Sequence, residues 1–245
     1  MSSLKPAPRW ITQRPIAHRG FHDLSAGRPE NSLAASVAAA DAGFAIECDL
    51  QVSSTGEPVV FHDPVLERMT GEVGRVRDHN PIQLAQLHLK QSDQVIDTLA
   101  THLAQVDGKV PMILELKGVE GEDAGFVEGV AVALENYAGE VAVMSFDHWL
   151  CQQFAALLPD IPRGLTAQHG EETYQRHIDA MQDYDLQFVS YKVQDVDCRF
   201  VREMKQLGLP VITWTVKNES DRERTDQFAD QMTFEGFDPR NTPHG

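Results

Sequence analysis

Short apolar runs recur along this chain at nearly even intervals. They are Arg14 to Gly20 (RPIAHRG), Ala45 to Val52 with a continuation at Pro58 to His62, Val110 to Lys117 (VPMILELK), Glu140 to Phe146 (EVAVMSF), Pro162 to Gln168, Phe188 to Val193, Pro210 to Val216 (PVITWTV) and Gln231 to Glu235. Each has the length of a strand and a strand's apolar side chains. Between them the apolar positions change to helical spacing, over Pro29 to Gly43, Asp123 to Ala138, His148 to Leu158, Glu171 to Gln182, Cys198 to Leu207 and Ser220 to Ala229. Asn31 or Ser32 can cap the first of these helices and Gly43 stops it, as Gly208 stops the helix that begins at Cys198. One stretch breaks the rhythm. Asp63 to Lys109 carries Gly71, Gly74 and Pro81 among many polar residues and shows no clear strand. It reads as an insertion laid over one face, closed by a helix from about Asp97 to Val106. Residues 1–13 read as a tail or a lid over one end.

Strands that alternate with helices predict a parallel sheet. Counting the second run and its continuation as one, eight strands in 245 residues is the size of a closed (β/α)8 TIM barrel. The chain is then a single domain over residues 1–245, with a small insertion at about 63–109 after the second strand. An open doubly wound sheet is the rival, but no glycine-rich phosphate loop follows the first strand.

In a parallel barrel, chemistry collects at the C-terminal ends of the strands, and polar residues fall there in this chain. Glu47 and Asp49 stand two apart, so they face one side while Ile46, Cys48 and Leu50 face the other. Two acids aimed at one spot repel unless a cation lies between them, and oxygen ligands suit a hard divalent ion. Glu115 and Lys117 repeat the spacing and add a third carboxylate, a set that suits Mg2+ or Ca2+ better than zinc. Glu47 and Asp49 alone could be a structural ion pair; the third acid argues against that. His18 and His62 end strands and titrate near neutral pH, which suits an acid/base pair. Arg19 and Lys117 can hold a phosphoryl group, although Lys117 could equally be the ion-pair partner of Glu115. A hard cation, two side-chain cations and two imidazoles together point to cleavage of a phosphate ester. Trp214 is either barrel packing or a wall of the site. Glu235, at the last strand end, is a weaker site candidate. His22 has no motif support, and His79, His88, His102, His148, His169, His177 and His244 read as surface residues or outer supports of the site. Cys48 reads as a small core residue.

Composition narrows the partners. Lys and Arg total 21 against 37 Asp and Glu, a net charge of −16. A field of that sign argues against nucleic acid or an anionic membrane as the main partner. The three cysteines are scattered and lack CxxC spacing, so neither a disulfide framework nor a zinc site is expected. The first residues show no apolar signal region, and no run approaches a membrane span. A soluble cytoplasmic protein with no stable membrane association is the expectation.

The ordered set His18-Arg19-Gly20, Pro29-Glu30-Asn31-Ser32, Glu47-x-Asp49, His62-Asp63 and Glu115-x-Lys117 resembles the glycerophosphodiester phosphodiesterase family. Leu66 to Gly71 (LERMTG), Ser145-Phe146 and Trp214-Thr215-Val216 extend the match from about Pro15 to Pro239. The resemblance implies a (β/α)8 barrel with an insertion after the second strand. It implies that Glu47, Asp49 and Glu115 bind the metal and that His18 and His62 are the general acid and base. It also implies that Arg19 and Lys117 contact phosphate and that Asn31 supports the site. The implied reaction is hydrolysis of a small-molecule glycerophosphodiester to glycerol 3-phosphate and an alcohol. Ser32 stands where the family more often has Thr, Lys217 where it has Asn, and Phe234-Glu235-Gly236 where it ends in Thr-Asp; these bear on substrate preference. A lipid-directed phosphodiesterase, of lysophospholipase D or phospholipase C type, is the alternative. It would need an apolar rim, for which the chain offers Trp10, Phe21, Met69, Leu84, Leu87 and Leu89. A catalytically silent barrel would be expected to have lost a ligand or a histidine. Which histidine is the acid, and whether the glycerol 2-hydroxyl or water attacks, stay open.

Overall fold

A computed structural model describes residues 5–241 of the chain. Eight parallel strands close into a barrel: β1 (Ile16–Ala17), β2 (Ala45–Val52), β4 (Met112–Leu116), β5 (Val141–Ser145), β6 (Arg163–Ala167), β7 (Phe188–Lys192), β8 (Val211–Val216) and β9 (Gln231–Phe234). Closure comes from β1, which pairs with β2 through Ile16–Ala45 and with β9 through Ile16–Thr233. The open-sheet alternative is thereby excluded. The continuation at Pro58–Val60, β3, folds back antiparallel on β2 with Leu50 opposite Val60. It is a hairpin arm of β2 and takes no place in the barrel wall.

Helices surround the wall. α1 (Leu33–Ala42) starts at Ser32, whose hydroxyl accepts from the Ala35 amide, and stops at Gly43 in the left-handed conformation. Ser32 is thus the cap, which leaves Asn31 free for the barrel mouth. After β3 come the short α2 (Glu67–Thr70) and α3 (Pro81–Leu84), then α4 (Leu99–Val106) capped by Thr98. α4 buries Leu99, Leu103 and Val106 in the main core beside Ala39 and Ala40 of α1. It is therefore the barrel's own second helix, and the cap over the mouth ends before it. That cap has a separate small core of Phe61, Leu66, Met69, Val76, Leu84, Leu89 and Ile96. The remaining helices are α5 (Phe126–Leu134), α6 (His148–Leu157), α7 (Tyr174–Asp183), α8 (Arg199–Gln206) and α9 (Glu219–Phe228).

The N-terminal tail is a plug. A 3-10 turn at Arg9–Thr12 inserts Ile11 among Ile16, Ala45, Ile113, Phe188 and Ile212, which fill the lower barrel. Residues 1–4 of the tail and His244 lie outside the described residues. Cys48, Cys151 and Cys198 are free and buried. Of the histidines read as surface or outer residues, His102 and His177 are buried. His102 sits between α1 and α4, bonded through Nδ1 to the Ser36 hydroxyl at 3.0 Å. A helix surface turned inward against a second helix has no exposed face to offer, and the sequence did not reveal that α1 and α4 pack together.

Candidate active site

Alternation along β2 sends Ile46, Cys48 and Leu50 into the outer core and leaves Glu47 and Asp49 in the barrel. β4 lies beside β2 with Asp49 in register with Glu115. All three carboxylates are buried, at 1%, 0% and 6% residual exposure. One oxygen from each lies within 4.8 Å of the others, a group that could hold a metal ion. One buried oxygen, Glu47 Oε1, has no partner, and Asp49 Oδ1 has only the Lys117 ammonium at 3.1 Å. Buried unpaired oxygens are costly, and a hard cation would satisfy them.

The electrostatics fit the same reading. Burial pushes the Glu47 carboxyl well above the usual carboxylate range, and Asp49 and Glu115 push it further. Burial likewise raises Glu115, against the pull of Lys117. Burial alone would raise Asp49, but the Lys117 and Arg19 cations outweigh it and hold that carboxyl low. Lys117 Nζ stands 2.6 Å from Glu115 Oε1 and 3.1 Å from Asp49 Oδ1. Burial opposes its charge, but Glu115 and Asp49 keep it protonated. Asn31 donates to Asp49 Oδ2 at 2.8 Å, and its own Oδ1 accepts from the Asp49 amide at 3.1 Å.

The turn after β1 brings the next three residues together. Gly20 has φ +77°, and a Cβ there would meet Ala35 at 2.7 Å, so only glycine lets this turn press against α1. Arg19 and Asn31 are also left-handed, with φ of 56° and 57°. That is uncommon outside glycine and tends to cluster at functional sites. The Arg19 amide donates to Glu47 Oε2 at 2.8 Å, its Nη1 donates to Glu30 at 2.6 Å, and its Nε lies 3.1 Å from Asp49 Oδ2. His18 Nε2 stands 3.9 Å from Glu47. Burial lowers the His18 pKa, and the hydrogen bond to Glu235 opposes that shift.

Each histidine has a carboxylate on its Nδ1. His18 Nδ1 meets Glu235 Oε2 at 2.8 Å, and His62 Nδ1 meets Asp63 Oδ1 at 2.6 Å. The bond to His18 is the leading cause that holds Glu235 down to about 2. Lys217 Nζ reaches the other oxygen of Glu235 at 3.3 Å, and His22 Nε2 lies 4.0 Å from it. Arg68 of the cap bridges Asp63 and Glu30, at 2.6 Å and 2.7 Å, and so ties the cap to the Arg19 side of the site. Glu235 was a weak candidate in the sequence, and Glu30, Asp63 and Arg68 had no assigned role there. Their only signal was membership of the Pro-Glu-Asn-Ser, His-Asp and Leu-Glu-Arg-Met-Thr-Gly stretches.

These groups surround one cavity of about 260 Å³, into which His18, Arg19, Glu47, His62, Glu115 and Lys117 all face. Trp214 is both packing and wall. Its Nε1 donates to the Ser190 carbonyl at 3.2 Å, and its ring meets Phe146 edge-on at 5.3 Å while lining the cavity. Met69, Leu84 and Leu89, which a lipid-directed enzyme would need at an apolar rim, are spent on the cap's own core, with Leu87 packed against it. Trp10 packs at the opposite end of the barrel, against the plug. Phe21 is turned against Phe44 and Phe234. Among the described residues no helix is long and apolar enough to cross a membrane.

Comparison with known proteins matches residues 18–237 to the model of the glycerophosphoryl diester phosphodiesterase family. A glycerophosphodiester phosphodiesterase of Caldanaerobacter subterraneus subsp. tengcongensis is 28% identical over 219 residues, covering 85% of this chain and 88% of the relative. A phosphodiesterase of Oleispira antarctica, solved in complex with the product sn-glycerol-3-phosphate, superposes with a TM-score of 0.82 at 25% identity, over 91% of this chain and 93% of its own. A glycerophosphodiester phosphodiesterase of Thermotoga maritima shares the fold, with a TM-score of 0.72 at 22% identity over 89% and 92%.

Proposed function

The chain belongs to the glycerophosphoryl diester phosphodiesterase family and is an enzyme of that kind, and from this premise we propose how its site works. The enzyme hydrolyses a glycerophosphodiester to glycerol 3-phosphate and an alcohol, with Mg2+ or Ca2+ held by Glu47, Asp49 and Glu115. The observation that carries this reading is the convergence of Glu47, Glu115, two carboxylate-backed histidines and two side-chain cations on one small cavity, with buried Asp49 clustered against the two glutamates. When bound, the cation supplies Lewis-acid polarisation of the phosphoryl group.

The rest of the work falls to the chain. Arg19 and Lys117 bind phosphate oxygens, Arg by its planar fork and Lys as a point charge. Both are held by acidic partners in the structure, so their charges are in place before substrate arrives. Glu235 and Asp63 each accept from Nδ1 of their histidine, which fixes the tautomer and leaves Nε2 of His18 and of His62 facing the cavity. One Nε2 takes the proton of the attacking hydroxyl, and the other returns a proton to the departing alcohol. Asn31 holds Asp49 from two sides and so fixes the carboxylate cluster.

The test is a coupled assay for glycerol 3-phosphate released from glycerophosphocholine and glycerophosphoethanolamine, run with EDTA, Mg2+, Ca2+ and Mn2+. Release is expected with metal and none with EDTA. His18→Ala and His62→Ala should each lower kcat by about 10²–10⁴-fold. Near wild-type turnover in both variants removes the acid/base assignment, and no release under any metal removes the reaction.

A further inference from the structure

The two histidines of the site are held by different parts of the molecule. His18 follows a barrel strand, keeps 13% side-chain exposure, and leans on Glu235 at the end of another barrel strand, β9. His62 follows the hairpin arm β3 and keeps 32%. Among the described residues its one side-chain hydrogen bond is to Asp63, the next residue along the chain. The other side-chain bonds of Asp63 come from Arg68 of the cap, whose Nε donates to Oδ2 at 2.6 Å and whose Nη2 donates to Oδ1 at 3.3 Å. The same guanidinium grips Glu30, with Nη2 on Oε1 at 2.7 Å and Nη1 on Oε2 at 3.0 Å. Glu30 Oε1 in turn accepts from Arg19 Nη1 at 2.6 Å. Burial would raise the Asp63 and Glu30 carboxyls, but the bonds from Arg68 lead those that hold both low. Leu66 and Met69, on either side of Arg68 in the chain, are buried in the cap's own core, so the guanidinium goes where the cap goes.

We propose that Arg68 is a positioning residue that makes the site competent only when the cap is seated, because one guanidinium orients His62 through Asp63 and Arg19 through Glu30. The proposal rests on the phosphodiesterase reading for what His62 and Arg19 do. Arg68 does not itself line the cavity. A planar fork of donors serves two carboxylates at once, which a lysine ammonium on its single point cannot. Exposed ion pairs add little stability one by one, and the Arg68 side chain is 42% exposed, so the arrangement serves orientation rather than the fold. The cap has a second ionic tie of the same kind. Arg75 and Arg77 both meet Glu122 on the loop after β4, Arg77 at 3.0 Å. That tie reaches no side chain of the cavity, so it separates holding the cap from orienting the site. Without Arg68, His18 keeps Glu235, while His62 and Arg19 each lose the support behind their carboxylate.

Arg68→Met and Arg68→Lys are compared with wild type and with the double variant Arg75→Gln, Arg77→Gln, all loaded with Mg2+. Each Arg68 variant should lower kcat by about 10–100-fold and raise KM for glycerophosphocholine, with the melting temperature little changed. The double variant should stay within about twofold of wild type. In a His62→Ala background Arg68→Met should change kcat by no more than about twofold, since the group it orients is gone, while the rise in KM through Arg19 persists. Full activity of Arg68→Lys, an undiminished kcat factor in the His62→Ala background, or an equal loss in the double variant each overturns the proposal. If Arg68→Met fails to fold, Arg68→Lys carries the same comparisons. Nitrogen NMR of the histidine rings gives a readout that needs no turnover. The Nδ1–H form of His62, identified by its absence from His62→Ala, should dominate in wild type and give way to the Nε2–H form in the Arg68 variants. An unchanged tautomer overturns the proposal. A changed tautomer in a protein that releases no glycerol 3-phosphate would remove the hydrolytic reading and leave the positioning role in place.

Discussion

The two ends of the barrel interior are built from the same strands and obey opposite rules. At the lower end Ile16, Ala45, Ile113, Ala142 and Ile212 fill the space with aliphatic groups, sealed by Ile11 of the tail. Two residues further along, β1, β2 and β4 carry His18, Glu47 and Glu115 into the same interior. The outer core does not register the change, since Ile46, Cys48, Leu50, Leu114 and Leu116 continue past it unbroken. One end is thus close-packed and pays its way in hydrophobic burial. The other keeps like charges in contact, one oxygen of Glu47 unpaired and two non-glycine residues at positive φ. The lesson is a division of labour within single strands: the lower half stabilises the fold, and the upper half is held in a strained arrangement that a bound cation would relieve.

The comparison breaks most sharply at Glu47. Glu47→Gln removes one of the three acids proposed to hold the metal and one repelling carboxylate while keeping the shape. Turnover should fall to the level seen with EDTA, yet the metal-free protein should be as stable as wild type or about 1 kcal/mol more stable. Activity assay and urea unfolding of the same sample check this; a large loss of stability would place Glu47 with the fold rather than the site.

Glu235→Gln is the next largest effect. It keeps a side chain beside His18 Nδ1 and discards its charge. A supporting contact of this kind is worth about 10–100-fold, so kcat/KM should drop by that factor with the melting temperature little changed. Whichever limb of the pH profile reports His18 should move to lower pH, because the carboxylate that favours the imidazolium is gone. An unchanged limb would leave Glu235 a merely structural neighbour.

The mirror experiment is at the lower end. Ile113→Ala opens a cavity in the plug and should cost about 2–5 kcal/mol of stability by chemical unfolding. At a temperature where the variant stays folded, kcat/KM should be that of wild type. A parallel loss of activity would mean that the two ends are coupled through β4.

The smallest effect belongs to neither end. His102 is buried between α1 and α4, and burial pushes its pKa down to about 3. The unfolded chain takes up that proton near pH 6.5, and the folded protein does not until about pH 3. The contribution is therefore intact above pH 6.5 and is lost as pH falls below it, by about 2 kcal/mol between pH 7 and pH 5. His102→Gln should flatten this part of the stability profile, which urea titrations at the two pH values measure directly.

The chain's own order of residues determined a great deal. Strand-length apolar runs alternating with helical spacing are local properties, and they set the (β/α)8 class without any knowledge of contacts. The two-apart spacing of Glu47 with Asp49 and of Glu115 with Lys117 put those groups on one face, because strand geometry allows nothing else. Boundaries were less legible. The spacing carried the helix at Asp123 several residues too early, since the loop of Val119 to Gly125 is tied by Asp123 accepting from the Val119 amide and from Trp149, contacts no period shows. The cap was drawn too long because α4 shares its polar exterior with the insertion and differs only in what it packs against. Tertiary structure alone decided that Glu235 backs His18, 217 positions away along the chain, that Arg68 joins Asp63 to Glu30, and that the tail's Ile11 plugs the barrel. The physical reason is the same in each case. Periodicity reports the direction of a side chain relative to its own element, whereas the partner it meets depends on how the sheet closes.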